Sequence, residues 1–226
     1  MRALWLILCI LGLAAPASAK DAEWIASPLS PAVPVVLQFR KDIAIEKIPA
    51  HLWVDVSADN RFLLYVNGER AASGPATSDL AHWRYARIDI APFLKAGRNT
   101  VSATVWNFVI PGEGDLKKQT GPLSQSSAGT GFYLKAEDDA FAGLNSGPDW
   151  QVASDPSHKA SSGMAQIDTP DWLGYYVAGA PETIDARQAA TDWRAAAPSK
   201  SRTLTSDPLP QMTYALTDNG RRVRGE

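Results

Sequence analysis

The segment that most constrains the fold is 58–75, with the sequence ADNRFLLYVNGERAASGP. Apolar residues alternate along RFLLYV, and this run ends at Asn67-Gly68, a pair that readily supplies the two positive φ angles of a tight hairpin turn. The return arm ends at Gly74-Pro75, where proline has no N–H to donate to a neighbouring strand. The segment therefore predicts a β-hairpin.

Further short β-favouring runs occur along the chain, and the pattern places Leu52, Val54 and Val56 on one strand face. The sequence predicts a long loop over 108–130 and allows a short helix over 186–197. Many short strands with regular turn signals predict an all-β fold, an antiparallel jelly-roll sandwich. Besides the hairpin, the predicted strands are Val35 to Lys41, His51 to Ser57, Trp83 to Asp89, Thr100 to Asn107, Gly131 to Glu137, Trp150 to Val152 and Tyr175 to Val177.

The first nineteen residues predict a secretory signal peptide, with Arg2 before an apolar run and Ala17-Ser18-Ala19 as the cleavage site. We therefore expect export to the periplasm or the extracellular space, without a membrane anchor. The single cysteine, Cys9, lies within the signal, so the exported chain has no thiol for a disulfide, for catalysis or for a metal. A net charge of −2 provides no basic footprint for nucleic acid.

The hairpin segment and HWRYARIDIAPFLKAGRNTVSATVWN over 82–107 resemble the N-terminal β-sandwich of bacterial α-L-rhamnosidases, glycoside hydrolases of family 78. EWIASP near the start and DPLP near the end extend the resemblance over 23–210. It implies a galactose-binding-domain-like sandwich. In that family the catalytic carboxylates lie on a separate (α/α)6 barrel, so no catalytic residue is assigned here. The chain is expected to be inactive by itself.

Rhamnose-binding modules of family 67 are related sandwiches, and they imply a site in this chain. Asp59 and Asn60 match the Asp-Asn pair of those modules, Trp83 matches the stacking ring, and Asn107 is the nearest match for a further asparagine. The implied ligand is a rhamnose-containing glycan, with Ca²⁺ bound by Asp59 and Asn107. Oxygen ligands of these types suit calcium. In the alternative interpretation, Asp59 and Asn60 cap a turn and Trp83 fills the edge of the sandwich.

The predicted organisation is a signal peptide over 1–19, a carbohydrate-associated sandwich over 20–180, and a linker with the irregular start of a truncated domain over 181–226. Asn219-Gly220 predicts a turn whose second arm is missing, so we expect the chain to be a fragment of a longer enzyme. The first predicted function of the chain is that of a non-catalytic accessory module of an exported α-L-rhamnosidase-like hydrolase, with that enzyme's catalytic barrel as its partner. A free-standing calcium-dependent sugar-binding protein and a purely structural sandwich are the alternatives.

Other acidic side chains offer weaker candidates. Asp138-Asp139 and Asp168 with Asp171 are carboxylate pairs, the residue type that glycosidases use, but each pair lies in a turn-rich setting where aspartate is common. We expect both pairs to be surface residues.

Overall fold

The structure is a computed structural model that describes residues 21–108, 126–160 and 182–211. Within these ranges, fourteen strands form two six-stranded sheets and one two-stranded pair. The strands are β1 Ile25–Ala26, β2 Val35–Ile45, β3 Trp53–Asp59, β4 Arg61–Val66, β5 Glu69–Gly74, β6 Trp83–Asp89, β7 Gly97–Asn107, β8 Gly131–Ala136, β9 Gln151–Ser154, β10 His158–Ala160, β11 Glu182–Ile184, β12 Arg194–Ala195, β13 Ala197–Pro198 and β14 Leu204–Ser206.

The two large sheets confirm the predicted antiparallel sandwich. The first has the order β13-β1-β8-β3-β6-β14, and the second has the order β12-β9-β2-β7-β4-β5. Neighbouring strands are antiparallel except that β14 runs parallel to β6. Two 3₁₀ helices, Ala91–Phe93 and Asp139–Leu144, connect strands. Within the described ranges, no helix is long and apolar enough to cross a bilayer.

The predicted hairpin is present as β4 and β5. Asn67 has φ +54° and Gly68 has φ +84°, so the turn uses the two positive angles that this dipeptide tolerates. β4 also pairs with β7 along its full length, so the hairpin is part of the second sheet. The local turn chemistry and the sheet register therefore agree.

The core lies between the two sheets and is filled by the inward faces predicted from the alternation. Leu52, Val54 and Val56 are buried as expected. Phe39 from the second sheet stacks on Phe132 from the first, with ring centroids 5.3 Å apart. Burying one such large apolar side chain contributes about 1.5–3 kcal/mol to the free energy of unfolding, so these cross-sheet contacts hold the layers together.

The segment after residue 181 differs from its prediction as a linker. β12 pairs with β9 in the second sheet, whereas β13 pairs with β1 and β14 pairs with β6 in the first. The helix allowed over 186–197 is wrong, because this segment has a turn and then strand. The Asp185 carboxylate accepts the N–H of Arg187, and Ala196 N–H donates to Trp150 O at 2.8 Å. These bonds replace the intrahelical ones that a short, isolated helix would need.

Several predictions lie outside the described residues: the signal peptide, the strand at Tyr175, most of the loop over 108–130 and the turn at Asn219-Gly220.

Candidate functional site

The four residues predicted to form a site do lie together, at one end of the sandwich. Asp59 is the last residue of β3, Asn107 is the last residue of β7, and Trp83 is the first residue of β6. Asn60 follows Asp59, and its N–H donates to Trp106 O at 3.0 Å, which joins the ends of β3 and β7. Strand ends that lie far apart in sequence thus meet at one edge.

The short segment 126–130 covers three of these residues and is held by them. The side chains of Asp59, Asn60 and Asn107 all bond to it. The contacts are Ser126 O with Asn60 Nδ2 at 2.9 Å, Ala128 N with Asp59 Oδ2 at 2.8 Å, and Asn107 Nδ2 with Ser127 Oγ at 2.9 Å and Thr130 Oγ1 at 3.0 Å. In this arrangement the polar groups organise a loop that is distant from β3 and β7 in sequence, rather than the adjacent turn that the alternative interpretation assigns to Asp59 and Asn60.

Arg202 completes the cluster, and sequence reasoning missed it. Its Nη2 donates to Asp59 Oδ2 at 2.8 Å and also bonds Gly129 O. Its guanidinium carbon lies 4.0 Å from the ring centroid of Trp24 and 5.6 Å from that of Trp83. The arginine is thus an internal cation, held by a carboxylate and by aromatic faces.

The electrostatic state of Asp59 follows from its burial. Removal from water raises the pKa of the Asp59 carboxyl above its usual value, while the Arg202 guanidinium, the Ser127 hydroxyl and the Ala128 N–H act in the opposite direction. The Oδ1 atom of Asp59 is buried and has no hydrogen-bond partner among the described residues. One carboxylate oxygen is therefore saturated and the other is not.

Asp59 and Asn107, the predicted calcium ligands, both have hydrogen-bond partners in the structure. Calcium takes six to eight oxygen ligands, but the Oδ2 atom of Asp59 already serves a guanidinium. Within 21–108, 126–160 and 182–211, no group of three or more His, Asp or Glu side chains is placed to hold a metal ion. A calcium ion on Oδ2 of Asp59 would have to displace Arg202, whereas Oδ1 has no hydrogen-bond partner among the described residues. Calcium binding by these two residues stays a prediction.

The space beside the predicted stacking ring is small. The cavity between Asn60 and Trp83 has a volume of about 20 Å³, which suits about one water molecule rather than a pyranose. Trp83 is only 4% exposed, and its Nε1 donates to Ala58 O at 3.2 Å. A sugar could stack on Trp83 only if the covering segments moved, so the binding roles of these residues stay predictions.

A larger cavity, of about 480 Å³, lies on the outer face of β4, β5 and β7. Arg61 and Trp106, which line it, are directly opposite each other in the β4–β7 register. Sequence reasoning did not select them. The signal was present in the alternation of TVSATVWN, which turns Trp106 away from the core face occupied by Val105.

Among the other acidic candidates, Asp138 has a structural role. Asp138 Oδ1 accepts the N–H of Ala140 at 2.9 Å and so caps a 3₁₀ helix. Asp168 and Asp171 lie outside the described residues.

Comparison with solved structures shows similarity to rhamnosidases. A family 78 rhamnosidase of Bacillus sp. GL1 matches with a TM-score of 0.62 at 21% identity, over 85% of this chain and 20% of that enzyme. The likeness is one of fold. The α-L-rhamnosidase of Aspergillus terreus matches with a TM-score of 0.53 at 15% identity, over 85% of this chain and 23% of its own.

The α-L-rhamnosidase of Dictyoglumus thermophilum matches with a TM-score of 0.51 at 16% identity, over 82% of this chain and 22% of its own. This chain thus spans about a fifth of the length of these enzymes. No family model and no curated protein matches the sequence.

Proposed function

We propose that this chain provides a non-catalytic, carbohydrate-binding accessory sandwich to an exported α-L-rhamnosidase-like glycoside hydrolase. The observation that carries the proposal is the fold likeness, which extends over 82–85% of this chain but only 20–23% of three rhamnosidases. In the proposal, hydrolysis belongs to a separate catalytic barrel. Export rests on the signal peptide predicted over residues 1–19.

The proposed ligand is a rhamnose-containing glycan that contacts Asp59, Asn60, Trp83 and Asn107. Because these side chains are buried under segment 126–130 and Arg202, binding there requires that cover to move. Once exposed, Trp83 would offer an aromatic face to the C–H groups and methyl group of the sugar, and Asn60 would offer both a donor and an acceptor. Calcium, in the calcium-dependent form of the proposal, would take the place of the Arg202 guanidinium on Asp59.

A purely structural sandwich is the second candidate, and one observation favours it. Asp59 and Trp83 are 0% and 4% exposed, and the described hydrogen bonds of both belong to the fold. In this candidate the cluster stabilises one end of the sandwich and binds no sugar.

Isothermal titration of the full chain with L-rhamnose, in calcium and again in EDTA, separates the two candidates. The site variant is Trp83→Phe, which keeps a ring but removes the indole N–H. The matched control is Trp53→Phe, because Trp53 is 39% exposed on β3. Both variants are first checked for an unchanged circular dichroism spectrum, and D-mannose serves as the sugar control.

Heat with L-rhamnose that Trp83→Phe reduces and Trp53→Phe leaves unchanged supports the binding module. Absence of heat with L-rhamnose under both conditions supports the structural sandwich. Hydrolysis of 4-nitrophenyl α-L-rhamnopyranoside by the chain alone would contradict its non-catalytic role.

A further inference from the structure

The large cavity on the outer face of β4, β5 and β7 is separate from the Asp59 cluster. It is bounded by the two strands of the hairpin on one side and by residues 207–211 on another. Its volume of about 480 Å³ falls in the range of pockets that bind small molecules. The polar side chains that matter for its chemistry are Arg61, Arg70, Ser73, Trp106, Glu182 and Asp207.

Trp106 is held in a defined orientation at this cavity. Its Nε1 donates to Glu182 Oε2 at 3.2 Å, and the same carboxylate oxygen lies 3.1 Å from His158 Nδ1. The His158 ring meets the indole nearly perpendicularly, at an interplanar angle of 85° and a centroid distance of 5.9 Å. An indole fixed by its polar edge loses little conformational entropy when a ligand packs on it, so it suits stacking against a pyranose.

A polar network behind the cavity supports this arrangement. Gln38 Nε2 donates to Asp155 Oδ2 at 2.7 Å, and Asp155 lies 3.8 Å from His158 Nε2. Burial acts to raise the pKa of Asp155, but hydrogen bonds from Ser157 and Gln38 hold it below the usual value. The His158 ring thus lies between two carboxylates, with Glu182 beside Nδ1 and Asp155 on the side of Nε2.

The charged side chains at the cavity differ in whether they have hydrogen-bond partners. Glu182 is bonded to Trp106 and lies beside His158, and Asp207 Oδ1 accepts the N–H of Leu209 at 3.0 Å. The Arg61 guanidinium, by contrast, has no hydrogen bond and no ion pair within 4 Å among the described residues.

The Arg61 side chain is exposed at the start of β4, so its guanidinium is accessible from the cavity, and Glu182 acts on it only as a more distant counter-charge. Arg70, a second guanidinium, lines the same cavity. Arg70, Glu182 and Asp207 have partners, so Arg61 is the guanidinium at this cavity that can pair with an anionic group.

We propose that this cavity binds an acidic pyranose, a sugar residue of the uronic acid type, with Arg61 contacting its carboxylate and Trp106 stacking on its ring. A planar guanidinium can pair with a carboxylate through two parallel hydrogen bonds. The choice of a sugar rests on the proposed function, whereas the choice of an anion rests on Arg61. The site would let the module hold an acidic residue next to rhamnose in the same glycan.

Saturation-transfer NMR and titration of the full chain test this proposal with two matched probes, methyl β-D-glucuronide and methyl β-D-glucoside. The two differ only in the carboxylate at C6. The site variant is Arg61→Gln, and the control is Arg98→Gln at the opposite end of β7, whose side chain is 80% exposed. Trp106→Ala tests stacking, and a thermal melt of each variant confirms that it folds.

We expect the glucuronide to bind and the glucoside to bind at least about tenfold more weakly, because a charge-assisted pair is lost. Arg61→Gln should abolish that difference, Arg98→Gln should preserve it, and high salt should weaken the glucuronide alone. Equal binding of the two probes, no binding of either, or an unchanged preference in Arg61→Gln would overturn the proposal.

The outcome is distinct from that of the rhamnose titration. Glucuronide binding without rhamnose binding would retain this cavity and reject the rhamnose site, and the reverse result would reject the cavity alone.

Discussion

Arg202 Nη2 lies 2.8 Å from Asp59 Oδ2, and the two side chains are only 2% and 0% exposed. The pair joins the last residue of β3 to a segment 143 positions later in the chain. The same segment donates Ser199 N–H to Trp24 O at 2.7 Å and accepts Trp83 N–H at Thr203 O. Arg202 is thus the charged centre of segment 199–203, which connects β13 and β14 at the two edges of the first sheet.

Replacing Arg202 with methionine should destabilise the fold strongly. Because the Asp59 carboxylate would remain buried without its cation, we expect the free energy of unfolding to fall by about 3–5 kcal/mol in urea titrations. Adding Asp59→Asn should recover part of this loss, since it removes the uncompensated charge. The control Arg187→Met removes a pair whose arginine is 89% exposed and should have little effect. Equal losses in the free energy of unfolding for the two arginine variants would contradict a larger contribution from the buried pair.

In the calcium-dependent form of the proposal, the ion would compete with the Arg202 guanidinium for Asp59 Oδ2. We therefore expect CaCl₂ at about 1 mM, which is in the range of weak extracellular sites, to raise the melting temperature of Arg202→Met but not that of the unmodified chain. Differential scanning fluorimetry against a MgCl₂ series measures this difference. A calcium-dependent rise in the unmodified chain would contradict this expectation, because the ion would then bind with Arg202 present.

Gly68→Ala should destabilise the hairpin through the backbone alone. The φ of Gly68 is +84°, and an added Cβ would meet nothing within 4 Å, so only the left-handed conformation is penalised, by about 1–2 kcal/mol. Gly143→Ala is the matched control, because a Cβ there also meets nothing and its φ lies outside the positive range. We expect this control to be neutral or slightly stabilising in thermal melts. Similar losses in both variants would contradict the assigned turn.

Asp89 should make stability depend on acid pH. Burial opposes the effect, but hydrogen bonds from His51, Leu52 N–H and Ala91 N–H lower the pKa of Asp89 below its usual 3.8. The native state therefore holds this proton less tightly than the unfolded state. The stabilisation is complete above about pH 4 and is lost as pH falls through the lower native value.

Asp89→Asn keeps an oxygen acceptor but removes the ionisation. Urea midpoints measured between about pH 2 and pH 6 should consequently fall more steeply toward acid in the unmodified chain than in Asp89→Asn. Parallel curves would show that Asp89 does not contribute to the acid dependence.

Local sequence patterns predicted most of the described β structure. Alternation located β3, β6 and β7 to within a few residues, and Asn67-Gly68 located the hairpin turn. The pattern could not assign the segment from Arg194 to Ser206, because its strands are two or three residues long and form only through pairing with β1, β6 and β9. Such short strands leave no periodicity to detect.

Only part of the candidate site could be predicted from the sequence. The sequence by itself determined the turn and the alternating faces, since these depend on residues close together in the chain. The grouping of Asp59, Asn60, Trp83 and Asn107 was predicted only from a resemblance, and the pairing of distant strands brings them to one edge. The tertiary structure alone decided that Arg202 occupies the carboxylate. Contacts between residues more than a hundred positions apart carry no local pattern, so a buried cation can be recognised only once the sheets have closed around it.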